Sequence, residues 1–180
     1  MGIISGGRVI EGAIGPYVLE GAPSNGTNEV QTLTIGGTPS AGAGSYFKLA
    51  FMGFITGPIL WSATNATLLA AINAALDALP HVGNGEILAA AGSLTNGIGT
   101  ITLTFSGEWG KRAVPTITVA ENSLTGTAPT VAVTETTPSV DATFRGAPVG
   151  AELRDVTNGK VYINTGTPNS PTWTVEGTQT

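Results

Sequence analysis

Apolar and polar residues alternate with a period of two along most of this chain. In 31–35, Leu33 and Ile35 oppose Thr32 and Thr34, and in 46–52, Phe47, Leu49 and Phe51 oppose Tyr46, Lys48 and Ala50. Successive side chains of a strand point to opposite faces, so each run predicts a half-buried strand. The glycine-rich 36–44 between them predicts a loop that joins a hairpin-like pair. Gly53 and Gly57-Pro58 interrupt the chain before a short strand at 59–61. Alternation returns at 86–90, 100–105, 116–119 and 130–133, setting Ile101, Leu103, Phe105, Ile117, Val119, Val131 and Val133 inward. Turn signals at Asn84-Gly85, Asn96-Gly97, Gly107 and Gly126 separate these runs.

The period changes once. Over 65–79, Leu68, Leu69, Ile72, Ala75, Leu76 and Leu79 recur every three or four residues, with Thr64 or Asn65 placed to cap the start and Pro80 to stop it. This predicts one helix. Its other face, with Ala70, Ala71, Ala74 and Ala78, is small and nearly uncharged, where a solvated face normally carries Lys and Glu. That face is expected to meet a neighbour.

Residues 1–28 carry Ile3, Ile4, Val9, Ile10, Ile14, Tyr17, Val18 and Leu19, scattered between glycines. They read as an extended arm without a fold of its own, a candidate for contact with a partner surface or a sister subunit; the rival reading is an ordinary edge strand on its own sheet. Residues 29–137 form the β-rich domain, 138–149 a linker, and 150–180 a C-terminal β-hairpin unit turning at Asn158-Gly159. That last unit holds too few apolar residues, Trp173 among them, to bury a core alone, so it is expected to pack on a partner. The fold class that results is mainly β (α+β): an antiparallel β-sandwich-like domain with one covering helix, an extended N-terminal arm and a small C-terminal unit.

Composition narrows the function. The 180 residues include 26 glycines and 11 prolines, about a fifth of the chain, without the three-residue period of collagen. Charged residues are 11%, against about 25% in typical domains, while 41% apolar content suffices for a core. The net charge is −5 and no run of three basic residues occurs, so neither nucleic acid nor an anionic membrane is an expected partner. Without cysteine, disulfides, thiol catalysis and cysteine-based zinc sites are excluded. No window approaches the roughly 18 continuous apolar residues of a membrane helix, and a soluble chain is expected.

No catalytic set assembles from the sequence. His81, the single histidine, follows Pro80 at the helix end, where a cation favours the helix dipole; no second ligand lies near it in sequence. No serine sits in a Gly-x-Ser-x-Gly elbow. Of the twelve carboxylates only Glu152 and Asp155 are close, and Glu152 shares a strand face with Arg154, which reads as a salt bridge rather than a glycosidase pair. Gly-rich stretches lack a following Gly-Lys-Ser/Thr and read as turns. Trp109 beside Lys111 and Arg112 reads as a cover over an open core end, with sugar or acidic-group binding as the other reading. No cofactor, metal or enzymatic activity is expected.

The block 29–137 is where the sequence becomes more specific. EVQTLTIGGTP, FKLAFMGFITGPILWSATNATLLAAINAALDALPHVGNGEI, GTITLTFSGEWGKRAVPTITV and TGTAPTVAVTETT follow in the order of a module that this chain resembles in virion proteins of tailed bacteriophages. The tail GAELRDVTNGKVYINTGTPNSPTWTVEGTQT is similar to the carboxy-terminal hairpin of phage head decoration and fibre proteins. The resemblance implies a capsid decoration or minor head protein on the outer capsid surface of the virion. It implies the major capsid protein as partner, and a homotrimer, since decoration proteins commonly occupy three-fold positions. Expected subunit contacts are Ala70, Ala71, Ala74, Ala78 and Trp173. The alternative is an adhesive or carbohydrate-binding β-module of a phage tail, fibre or cell surface, holding a host-surface glycan on Trp61, Trp109 or Trp173.

Overall fold

The computed structural model describes residues 17–178 and, before them, the backbone of two short strands. In chain order the strands are β1 (Ile4–Ser5), β2 (Arg8–Val9), β3 (Tyr17–Leu19), β4 (Val30–Ser40), β5 (Tyr46–Phe51), β6 (Phe54–Ile55) and β7 (Ile59–Leu60). After the helix α1 (Asn65–Asp77) come β8 (Ile87–Thr95), β9 (Ile98–Phe105), β10 (Thr118–Ser123), β11 (Thr125–Thr137), β12 (Glu152–Asp155), β13 (Lys160–Asn164) and β14 (Trp173–Thr178). The architecture is mainly β, with antiparallel sheets packed as a sandwich and α1 the one α-helix among the described residues.

The chain divides into two compact units, Thr27–Val140 and a second made of Met1–Gly26 with Asp141–Thr180. The boundaries therefore differ from the 28, 137 and 149 read from composition. Most of the segment expected as a linker belongs to the second unit, where Ala142 and Ala147 are buried. Proline and glycine mark where the chain turns, and turns occur inside a folded unit as well as between units.

In the larger unit, β11, β4, β9 and β8 form one sheet in that order. A second sheet runs β10, β5, β6, with β7 also paired to β5. Of the expected 36–44 loop, residues 36–40 instead continue β4 in its ladder with β11, and the rest does not close a hairpin: β4 and β5 lie in different sheets and face one another across the core. Leu33 and Ile35 from β4, Phe47, Leu49 and Phe51 from β5, and Ile101, Leu103 and Phe105 from β9 are all buried in that core. Each such side chain contributes about 1.5–3 kcal/mol by leaving water.

Helix α1 packs on β7 and β8 and sends Leu68, Ile72 and Leu76, at four-residue spacing, into the same core. It ends at Asp77, two residues before the expected stop, although Leu79 stays buried. Thr64 occupies the N-cap position without a side-chain cap bond. The Asn65 side chain is engaged elsewhere: its Nδ2 donates to the Leu94 carbonyl (2.8 Å) and its Oδ1 accepts from the Gly97 amide (2.9 Å).

Two buried polar side chains hold the irregular segment before β10. Gln31 is fully buried; it accepts from the Ile117 amide (2.8 Å) and donates to the Pro115 carbonyl (3.2 Å) and to Glu29 (2.6 Å). Buried polar atoms need such partners, and here they fasten a stretch that has no ladder of its own.

The smaller unit is a four-stranded sheet in the order β14, β13, β12, β3. Its edge strand β3 runs parallel to β12, with Tyr17, Val18 and Leu19 opposite Leu153, Arg154 and Asp155. The hairpin between β12 and β13 has a four-residue loop, since Asp155 pairs with Lys160, rather than the two-residue turn that Asn158-Gly159 signals. Asp155, 1% exposed, organises that loop: Oδ1 accepts from the amides of Thr157 and Asn158 (3.0 Å each), and Oδ2 accepts from Asn158 Nδ2 (2.7 Å). Oδ1 also accepts from Gly21 (3.1 Å), which ties the chain after β3 to the hairpin.

Candidate functional site

Of the arm residues expected at a contact, Ile3, Ile10 and Ile14 lie outside the described residues. Ile4 and Val9 pair with each other in the β1–β2 ladder, and their side chains are likewise outside the description. Tyr17, Val18 and Leu19 form edge strand β3, so for these three the structure shows the rival arrangement, a strand on its own sheet. Tyr17 and Leu19 pack on the small core, and only Val18 is mainly exposed.

Trp173 belongs to that same core, at 4% exposure. Its Nε1 donates to the Thr143 carbonyl (2.8 Å) and its ring meets Tyr17 edge-on at 6.2 Å. It offers no ring face to a subunit or a sugar. The unit that 150–180 was too small to complete finds its missing partners within the chain, in Tyr17, Leu19, Phe144 and Ala147.

On α1, Ala70, Ala74 and Ala78 are exposed as expected, whereas Ala71 is partly buried against the core. Trp61 is 8% exposed and donates from Nε1 to the Gly97 carbonyl (2.9 Å), so it too is a core residue and not a stacking platform.

Trp109 is half-buried, its Nε1 donating to the His81 carbonyl (3.2 Å) and its ring meeting Phe51 edge-on at 5.1 Å. The Arg112 guanidinium lies 5.2 Å over the ring, which explains the cation at that spacing as a cation–π partner. His81 stacks on Phe51 (5.5 Å, 18° between planes) and lies 4.5 Å from Phe54. Neither imidazole nitrogen has a hydrogen-bond partner, so the ring packs as an aromatic surface and does not cap the helix-end carbonyls as expected. Phe54, half-exposed, covers it. Together these rings close one end of the sandwich.

Among the described residues no group of three or more His, Asp or Glu side chains comes together. Glu152 and Arg154 make the ion pair expected of them, at 2.9 Å. A second ion pair joins Lys48 of β5 to Glu121 of β10 at 2.8 Å. The Lys48 hydrogen bond, with those from Tyr46 and Ser123, lowers the Glu121 carboxyl to about 2.

The outer face of the β11–β4–β9–β8 sheet is a further surface of uniform chemistry. Register places Thr134, Thr32, Thr102 and Ala90 in one row across the four strands, and Ala132, Thr34 and Thr100 in the next. Val30, Thr104 and the exposed Leu88 extend it on one side, Thr130 and Gly36 on the other. None of these positions is charged. Thr32 and Thr136 share a hydrogen bond between their hydroxyls, and Thr102 donates to the Ala90 carbonyl (3.3 Å), so these three hydroxyls have partners within the sheet. Alternation shows the threonines in the sequence; that they fall in register across four strands is decided by pairing.

No protein-family model matches this chain, and no curated protein matches it. Among solved structures, a protein of Mycobacterium phage Patience is similar over 86% of this chain and 57% of its own, at 16% identity and a TM-score of 0.39. This chain therefore spans a little over half the length of that protein.

Proposed function

We propose that this chain is a virion structural protein, a capsid decoration or minor head protein that binds the outer surface of a phage head. The observation that carries the reading is the uncharged threonine face of the β11–β4–β9–β8 sheet. A solvated sheet face ordinarily mixes Lys and Glu with threonine, and here one row across four strands and the next across three carry none. Such a face suits a broad protein surface held by shape, with desolvation costing little because no charge is buried. The resemblance of 29–137 and of the C-terminal unit to phage virion modules supports the same reading. The major capsid protein is then the partner beneath, with sister copies alongside, and no step of catalysis is assigned to the protein.

The test is co-sedimentation of the purified chain with heads assembled without it. Retention is expected for the native chain and loss of retention for the double variant Thr34→Lys, Ala90→Lys, exposed positions that are not opposite each other, with its unfolding transition preserved. Saturable binding on a glycan array, without retention on heads, would instead support the carbohydrate-binding alternative. Removing residues 1–16, which leaves β3 in place, separately tests the remaining arm: loss of retention with an unchanged thermal transition is the result expected of a contact segment.

A further inference from the structure

The two edges of the threonine-faced sheet are treated differently. At the β8 edge, the side-chain amides of Asn65 and Asn73 occupy backbone groups of Leu94, Gly97 and Ala89, and α1 covers the strand. At the other edge, β11 runs for 13 residues and, among the described residues, pairs with β4 alone. An open edge presents a row of backbone donors and acceptors, and folded proteins ordinarily blunt such a row with lysines, prolines or bulges. β11 is interrupted at two such places, between Thr127 and Thr130, where Pro129 lies, and between Glu135 and Thr137. Between them, 130–135 keeps regular register with β4 and contains no lysine, no proline and a single charge, Glu135.

We propose that the outer edge of β11 pairs antiparallel with the same edge of a second copy of this chain, about a two-fold axis at Ala132. Residues 130–134 read Thr-Val-Ala-Val-Thr, the same in both directions. With Ala132 opposite its counterpart, Thr130 meets Thr134 and Val131 meets Val133, so each face of the joined sheet receives side chains of its own kind. Val131 and Val133 already pack toward the core, and Ala132 lies outward with Thr34 and Thr100. Charge fixes the same choice. On a chain of net charge −5, two copies approach most easily where carboxylates do not face each other, and in this register Glu135 falls opposite Pro129 rather than its own counterpart. A two-fold contact of this kind closes at two copies and makes one eight-stranded sheet, with the two uncharged faces on the same side.

The pairing is read in solution without heads, so its outcome is separate from that of the capsid reading. Sedimentation equilibrium of the full chain at micromolar concentration is expected to give a monomer–dimer equilibrium. Ala132→Lys places like charges opposite each other and is expected to leave monomer, with an unchanged unfolding transition because the position is exposed. Mixing Ala132→Lys with Ala132→Glu is expected to restore a dimer. Since the chain has no cysteine, Ala132→Cys is expected to form a covalent dimer on mild oxidation, while Ala74→Cys on the helix does not. A native chain that sediments as monomer throughout, or as the trimer expected from the helix face, overturns the proposal. So does an Ala132→Lys chain that dimerises like the native one, or equal cross-linking at both cysteines.

Discussion

The Asn73 carboxamide pairs with both backbone polar groups of Ala89, donating from Nδ2 to the carbonyl at 3.1 Å and accepting at Oδ1 from the amide at 2.7 Å. The side chain stands where a neighbouring strand would be. Asn65 repeats the device two turns earlier against Leu94 and Gly97. The helix thereby ends the sheet as well as covering its core.

Asn73→Ala leaves an amide and a carbonyl of β8 without partners in a part-buried place. We expect a loss of about 1–3 kcal/mol, the usual cost of removing one partner of a buried hydrogen bond. Urea unfolding measures it. An unchanged midpoint would show that water replaces the carboxamide without loss. Faster aggregation of the variant is expected as well, because the β8 edge is opened.

Gly97 has a φ of +72°, and a Cβ built there would run into the Ser62 carbonyl oxygen and lie 3.0 Å from the Trp61 ring. Its carbonyl also receives the Trp61 indole, and its amide bonds Asn65. Gly97→Ala is therefore expected to lower the thermal midpoint sharply, by more than the about 1 kcal/mol that a left-handed alanine costs alone. Gly85→Ala, at φ +74° with nothing within 4 Å of the added carbon, is the control and carries the backbone cost only.

His81→Phe keeps the stack on Phe51 and Phe54 and removes two nitrogens that have no partner. The variant is expected to unfold at the same temperature as the native protein or above it. His81→Ala is expected to lose about 1–3 kcal/mol through the packing it gives up. Calorimetry of both separates an aromatic role from a polar one, since a needed imidazole would make the phenylalanine variant the weaker of the pair.

Two carboxylates set the acid limit. Burial pushes the Asp155 carboxyl up, but the hydrogen bonds from Asn158, Gly21 and Thr157 outweigh it and hold the group below its ordinary 3.8. Glu121 sits at about 2 against an ordinary 4.5, chiefly through Lys48. A carboxylate with a lower pKa in the folded state adds stability above its unfolded value and loses it as pH falls through the folded one. Stability is thus expected to be flat above pH about 5 and to decline as pH falls toward 2. Asp155→Asn should make that decline shallower in the unit that contains the β12–β13 loop, and carboxyl NMR titration should place the Glu121 midpoint near 2.

What the sequence determined by itself is which residues are buried. Period-two alternation named Leu33, Ile35, Phe47, Leu49, Phe51, Ile101, Leu103 and Phe105 as inward, and all are core residues, because a strand's pleat assigns faces locally; Val119, Val131 and Val133 are only partly buried, and Ile117 is buried from the irregular segment before β10. The period of 3.6 found α1, and Pro80 bounded it, for the same local reason. What the tertiary structure decided is which strand lies beside which. Alternation is identical for a strand in either layer, so nothing in 31–52 distinguishes a hairpin from two strands facing each other across the core. Nor does a pattern of residues 17–19 show that β3 completes a sheet with Leu153 and Asp155, more than 130 residues away. The positions of Asn65, Asn73, Gln31 and Asp155 were silent for a related reason. A polar side chain that replaces a backbone partner follows no period, and its meaning exists only once another segment has been brought within hydrogen-bond reach.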